Sequence, residues 1–221
     1  MKNIRLLLAE DHTLVLKGIT DILEKSGHII VVNEVDNGYS MIEKYFEYKP
    51  DIVLSDIEMP KLKGIEAAKE ILHRDNNAKI LFLTGYNTLE YIYWANKIGV
   101  LGLISKTVSP SELLIAIKTV AEGNKYFMNK TNEELEEIYS KYELKMAEQP
   151  VLRHYCLSIK EKEVLKHISD GLISEQIADK MGLSKKSIDA YRIKIMKKLN
   201  LLNFAQLMRF AVEYTNDVNG G

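Results

Sequence analysis

The feature that most constrains this chain is an alternation: over the first 125 residues, short apolar runs trade places with segments of helical period. The runs fall at 4–9, 29–32, 52–54, 80–83 and 101–104 and are nearly continuous in apolar residues. A strand buried on both faces needs that pattern, whereas a strand with one wet face alternates apolar and polar residues. The intervening segments, at 14–25, 39–48, 65–73, 89–98 and 111–122, have helical period. Five strands alternating with five helices predict a doubly wound, five-stranded parallel α/β sheet. Crossovers in such a sheet are right-handed, and ligands collect beyond the carboxyl ends of the strands.

Those ends carry chemistry. Glu10 and Asp11 follow the first run, Asp56 follows Ile52-Val53-Leu54-Ser55, the fourth run ends in Thr84 and the fifth leads to Lys106. Carboxylates crowded at one sheet edge repel and favour protonation unless a cation bridges them. An all-oxygen donor set suits Mg²⁺, which takes one or two carboxylates plus a phosphate and keeps several waters. Acids, a hydroxyl and a lysine at one edge therefore suit a phosphorylated carboxylate, with Lys106 offsetting phosphoryl charge and Thr84 donating a hydrogen bond.

On these residues, Glu10-Asp11, Asp56 with the following Ile57-Glu58-Met59-Pro60, Thr84 and Lys106, the segment 3–125 resembles the flavodoxin-like receiver domain of two-component response regulators. The resemblance implies that Asp56 is the nucleophile that accepts a phosphoryl group from a sensor histidine kinase. It implies Mg²⁺ held by Asp11, Asp56 and the backbone carbonyl of Glu58, with Glu10 assisting through a bound water. It also implies that phosphorylation draws Thr84 inward and repacks the fourth helix, fifth strand and fifth helix. Where many receivers place Tyr or Phe three residues before the lysine, this chain has Leu103. Tyr91, Tyr93 and Trp94 cluster in the fourth helix. Helical spacing turns Ile92, Ala95 and Ile98 inward, so Tyr91 is expected to pack, and Tyr93 and Trp94 to form a contact surface for the output domain or a second receiver.

Residues 131–149 read as an amphipathic linker helix. Thr131-Asn132-Glu133-Glu134 offers a capping box, Leu135, Ile138, Tyr139, Tyr142 and Met146 recur at helical spacing, and Pro150 closes the segment. From Leu157 the pattern is all helical. Ser158 caps a helix ending at Gly171, a short helix starts at Ser174, Gly182-Leu183-Ser184 turns the chain, and a longer helix covers about 185–199, with another after Asn203. Two helices joined by a short Gly-containing turn have helix-turn-helix geometry.

The spaced pattern from Leu157-Ser158-Ile159-Lys160-Glu161 through Gly171, Ile177-Ala178, Leu183-Ser184, Ser187-Ile188 and Lys198-Leu199 resembles the LuxR-type helix-turn-helix of the NarL/FixJ subfamily. It implies that the 185–199 helix enters the major groove of double-stranded DNA. The DNA-facing set is then Lys185, Lys186, Ser187, Asp189, Ala190, Arg192, Lys194 and Lys198. Lys185, Lys186, Lys194 and Lys198 are expected at phosphates, and Ser187 and Asp189 at bases. Asp189 stands where family members often carry a basic residue, and Ile193 is unusual on this face. Phe204, Leu207, Met208, Ala211 and Val212 in the last helix resemble the family's dimerisation helix.

Charge agrees with two different partners. Residues 1–129 hold 15 Lys/Arg against 17 Asp/Glu, and 155–221 hold 11 against 8; between Lys185 and Lys198 six Lys/Arg face one acid. The lone Cys156 excludes an internal disulfide, no His pair has metal-ligand spacing, and the first apolar run is too short for a membrane span. The expectation is a cytoplasmic regulator with a receiver at 1–127, a helical linker at 128–154 and an all-α helix-turn-helix domain at 155–221. It dimerises on phosphorylation and catalyses no reaction on an external substrate. The competing expectation is a phosphorylation-dependent protein-interaction adaptor whose degenerate output domain no longer reads DNA.

Overall fold

The computed structural model describes residues 3–85, 89–148 and 157–219. Pro150 and Cys156, and the side chain of Met146, lie outside the described residues. The chain forms two compact units, Met1–Tyr142 and Glu143–Gly221.

The first unit is a parallel sheet in the order β2-β1-β3-β4-β5-β6, with β1 Ile4–Ala9, β2 Ile29–Val35, β3 Ile52–Asp56, β4 Ile80–Thr84, β5 Gly102–Ser105 and β6 Tyr126–Phe127. Helices α1 Thr13–Lys25, α2 Gly38–Tyr48, α3 Gly64–Arg74, α4 Leu89–Ile98 and α5 Pro110–Ala121 connect them. Every residue of β3 and β4 is buried, as their unbroken apolar runs require. Leu6, Leu8, Ile52, Leu54, Leu81 and Leu83 meet Leu23 from α1 and Leu113, Ile117 and Val120 from α5 in one core.

Three differences from the sequence reading have physical causes. The sheet has a sixth strand: Tyr126 donates to the carbonyl of Leu101 (2.9 Å) and Met128 to that of Leu103 (3.0 Å). Two residues are too few to carry a period. Strand β3 runs on through Ser55 into Asp56, because the ladder continues to the polar edge where the site sits, while β4 ends in Thr84 as expected. Finally, Tyr93 and Trp94 are no open contact surface; both are buried. Tyr93 is covered by α6, Asn132–Glu148, whose Tyr142 ring lies tilted against it with centroids 4.8 Å apart while Tyr139 meets it edge-on at 6.3 Å, and Trp94 packs edge-on to Tyr93 at 5.1 Å. A helix covered by a sheet on one side and a helix on the other needs a wide apolar arc. The capping box of α6 forms as expected: Glu134 N–H donates to Thr131 Oγ1 (3.3 Å), and Thr131 N–H to Glu134 Oε2 (2.7 Å).

The second unit contains α7 Ile159–Ser169, α8 Ser174–Met181, α9 Lys185–Leu199 and α10 Phe204–Asn219. Ser158 closes a capping box with Glu161 at the start of α7. Gly182 ends α8 with φ of 63°, in the left-handed region that a residue without Cβ enters at little cost. Val164, Leu165, Ile168, Ile177, Ile188, Ile195, Leu199, Leu207, Phe210 and Ala211 form its core. Leu207 and Ala211 of the expected dimerisation set therefore pack within their own unit, whereas Phe204 and Val212 stay exposed.

Candidate phosphoacceptor site and nucleic-acid interface

At the carboxyl edge of the sheet, Glu10 follows β1, Asp56 ends β3, Thr84 ends β4 and Lys106 follows β5. Strand pairing brings them together: Asp56 lies opposite Leu83, one residue before Thr84, and Thr84 lies opposite Ser105, one residue before Lys106. The Lys106 ammonium bridges two carboxylates, at 2.8 Å from Asp56 Oδ2 and 2.7 Å from Glu10 Oε2. Asp56 is 4% exposed and Thr84 2%, so the Asp56 carboxylate is shielded but not sealed. Gly64 lets the start of α3 approach this loop: a Cβ there would lie 1.9 Å from the Asp56 carbonyl oxygen. The Gly64 N–H donates to the Ile57 carbonyl at 2.8 Å, closing the turn after Asp56.

Burial raises the Asp56 carboxyl above its ordinary range, against the pull of Lys106, and the neighbouring Glu10 charge adds to the rise. Burial works to lower the Lys106 ammonium, but hydrogen bonds to Asp56 and Glu10 outweigh it and leave Lys106 raised. Carboxylate atoms of Glu10, Asp11 and Asp56, with a ring nitrogen of His12, all lie within 4.8 Å of one another. The set is rich in oxygen and negative charge and holds one bound ammonium, which fits a hard divalent cation such as Mg²⁺.

Sequence reasoning missed two features here. His12 Nδ1 lies 3.0 Å from Glu10 Oε1 and 3.1 Å from Asp11 Oδ1, and the hydrogen bond to Glu10 and the charge of Asp11 raise its pKa. The spacing Glu10-Asp11-His12 contained that signal. The Glu58 side chain is held by the Tyr91 hydroxyl (2.8 Å) and Lys63 Nζ (2.6 Å), while the Glu58 N–H donates to Asp56 Oδ1 (3.3 Å). Tyr91 thus ties α4 to the loop after Asp56, a contact across 33 residues that no local pattern announces. Leu103, standing where an aromatic residue is usual, is fully buried in β5 beside Phe82 and Phe127.

In the second unit, Ile188, Ile195 and Leu199 of α9 are buried, and Lys186, Ala190, Ile193, Lys194 and Lys197 face solvent. The buried residues line one face of α9, and several side chains of the set expected at DNA also make contacts within the unit. Lys198 lies 2.7 Å from the buried Glu161 Oε2, so it fastens α9 to α7. Burial works to raise the Glu161 carboxyl, yet Lys198 and the Ser158 N–H bring it below its ordinary range. Arg192 Nη1 donates to Ser174 Oγ at 2.5 Å, and its guanidinium lies 3.8 Å over the Phe204 ring. The Ser174 hydroxyl in turn donates to Asp189 Oδ1 at 2.7 Å. Ser187 is half-buried at the first turn of α9, its N–H donating to the Ser184 cap. Lys185 pairs with the exposed Glu175 at 2.5 Å.

The family model of the response regulator receiver domain matches residues 6–118, and that of the bacterial regulatory proteins of the luxR family matches 156–211. The chain is 32% identical over 209 residues to the transcriptional regulatory protein YxjL of Bacillus subtilis, covering 95% of each chain. It is 30% identical to the oxygen regulatory protein NreC of Staphylococcus aureus, covering 95% of this chain and 97% of that one. Among solved structures, the response regulator RcsB of Salmonella typhimurium aligns at a TM-score of 0.54 and 26% identity over 95% of this chain and 98% of that one. An RcsB–DNA complex aligns at 0.54 and 25% identity over the same shares.

Proposed function

The chain belongs to the transcriptional response regulators that join a receiver to a LuxR-type DNA-binding domain, and on that premise we propose that phosphorylation of Asp56 by a histidine kinase controls its binding to double-stranded DNA. The observation that carries the proposal is the bridge of Lys106 to both Asp56 and Glu10. A lysine held against a shielded carboxylate, beside two further acids and a buried hydroxyl, fits a phosphoryl acceptor better than a structural ion pair.

In the proposed reaction an Asp56 carboxylate oxygen attacks the phosphorus of a phosphohistidine. The new O–P bond forms as the P–N bond breaks, and the imidazole leaves with the electron pair. Lys106, already on Asp56 Oδ2, is placed to follow charge onto the phosphoryl oxygens, and Thr84 at the next strand end supplies a hydroxyl donor. Asp11, Asp56 and the Glu58 carbonyl, with Glu10 through a water, would hold Mg²⁺, which neutralises developing charge when bound. The hydrogen bond of Tyr91 to Glu58 gives α4 a direct tether to this loop.

For the output unit, Lys185, Lys186 and Lys194 are assigned to phosphates, with the Lys185–Glu175 pair exposed and therefore weak enough to exchange. The reading places the protein in the cytoplasm as a phosphorylation-dependent homodimer, with domains at 1–127 and 155–221 joined by 128–154. Phosphotransfer from acetyl phosphate with Mg²⁺, followed by intact-mass measurement, tests the acceptor. Wild type should gain one phosphoryl group and Asp56→Ala none; equal labelling of both sinks the assignment.

A further inference from the structure

The DNA-facing side of α9 carries a large aliphatic residue, Ile193, 69% exposed among Lys186, Lys194 and Lys197. A single exposed isoleucine needs no explanation by itself. Here its neighbours supply one. Two polar groups on the same helix, Asp189 and Arg192, are engaged inside the unit, and the Ser187 hydroxyl meets that of Ser184 at 2.8 Å. The Asp189 carboxylate accepts from Ser174 Oγ at 2.7 Å, and Arg192 donates to that hydroxyl while lying over Phe204. Ser174 itself is 3% exposed, so the hydroxyl that both groups meet is buried, with Asp189 and Arg192 half-buried around it. Ala190 and Ile193, one turn apart, are then neighbours on the helix and form a short aliphatic strip between cations.

Base edges in the major groove are donors and acceptors with one exception, the thymine methyl group. A strip that offers only methyl and methylene groups, flanked by lysines suited to phosphates, is complementary to that edge. We infer that Ala190 and Ile193 read thymine methyl groups in the operator, and that Ser174 is a positioning residue that holds Asp189 and Arg192 away from the bases. The inference rests on the DNA-binding reading above and adds the class of base pair, A·T, that this turn of the helix selects.

The test uses full-length protein with beryllofluoride and Mg²⁺. Duplexes are selected from a random pool, and the enriched site is remade with deoxyuridine for thymidine, which removes only the methyl groups. Wild type should enrich A·T pairs and lose about fourfold in affinity per contacted methyl. Ile193→Ala should lose the part of this difference that Ile193 supplies, keeping only the share of Ala190 and the wild-type salt dependence, and Ile193→Val should fall between the two. Ser174→Ala frees Asp189 as an acceptor for a cytosine amine, so selection should drift from A·T toward C·G pairs. Tight, salt-sensitive binding by wild type that ignores the methyl groups overturns this inference alone, as does full discrimination by Ile193→Ala. If wild type binds no duplex in either state, the DNA-binding reading falls and this inference falls with it.

Discussion

Individual side chains divide into those whose partners the topology fixes and those whose partners only tertiary packing supplies. Glu10, Asp56, Thr84 and Lys106 belong to the first group, because strand ends of a parallel sheet must meet at one edge. Lys198 belongs to the second: its carboxylate partner, Glu161, lies 37 residues away and is buried. Lys198→Met should cost about 2 kcal/mol of output-unit stability in calorimetry, below the full buried-pair range because the lysine is part-exposed. Lys194→Met should leave stability unchanged and lower the salt slope of DNA binding by about one. Glu161 also sets an acid limit. Its folded pKa lies below the ordinary value of 4.5, so its contribution is fully present above that pH and is lost as pH falls through the folded value. Amide-exchange protection in α7 and α9, relative to the intrinsic rate at each pH, should fall below pH 4.5, and Glu161→Gln should flatten that dependence; an unchanged profile in the variant would remove Glu161 from the account.

Among elements, the five longer strands and the helices between them were legible because burial on both sheet faces and amphipathic period leave strong patterns. Strand β6, two residues long, left none. The place of α6 was also hidden: Leu135, Ile138 and Tyr142 marked an apolar face, but what they cover is decided by Tyr93 on α4. For the same reason Tyr93 resembled a free surface until its cover was in place. Removing the Tyr142 ring should undock α6, since stacked aromatic pairs contribute beyond their buried area. Tyr142→Ala should therefore speed proteolytic cleavage within α6 at least tenfold on the order expected for a lost large side chain, without abolishing phosphorylation at Asp56. The start of α3 allows the opposite test, adding atoms rather than removing them. Gly64→Ala places a Cβ against the Asp56 carbonyl, so the loop must shift, costing about 1–3 kcal/mol and slowing phosphotransfer. Retained stability and rate would show that the close approach does not position Asp56.

At the scale of the whole chain, two compact units differ in charge, and the proposed function gives each a different kind of partner. The acidic first unit holds a buried ammonium–carboxylate cluster suited to a phosphoryl group, and the basic stretch of the second is suited to a polyanion. That division was readable from charge and motif, and the family comparisons agree with it. The central claim is that chemistry at Asp56 governs DNA binding by α9. Its most direct test is a titration of full-length protein against its selected duplex, with and without beryllofluoride and Mg²⁺, at two salt concentrations. Beryllofluoride should tighten salt-sensitive binding by wild type at least tenfold, with the protein bound as a dimer, and leave Asp56→Ala unaffected. Equal affinity of wild type in both states would contradict the account.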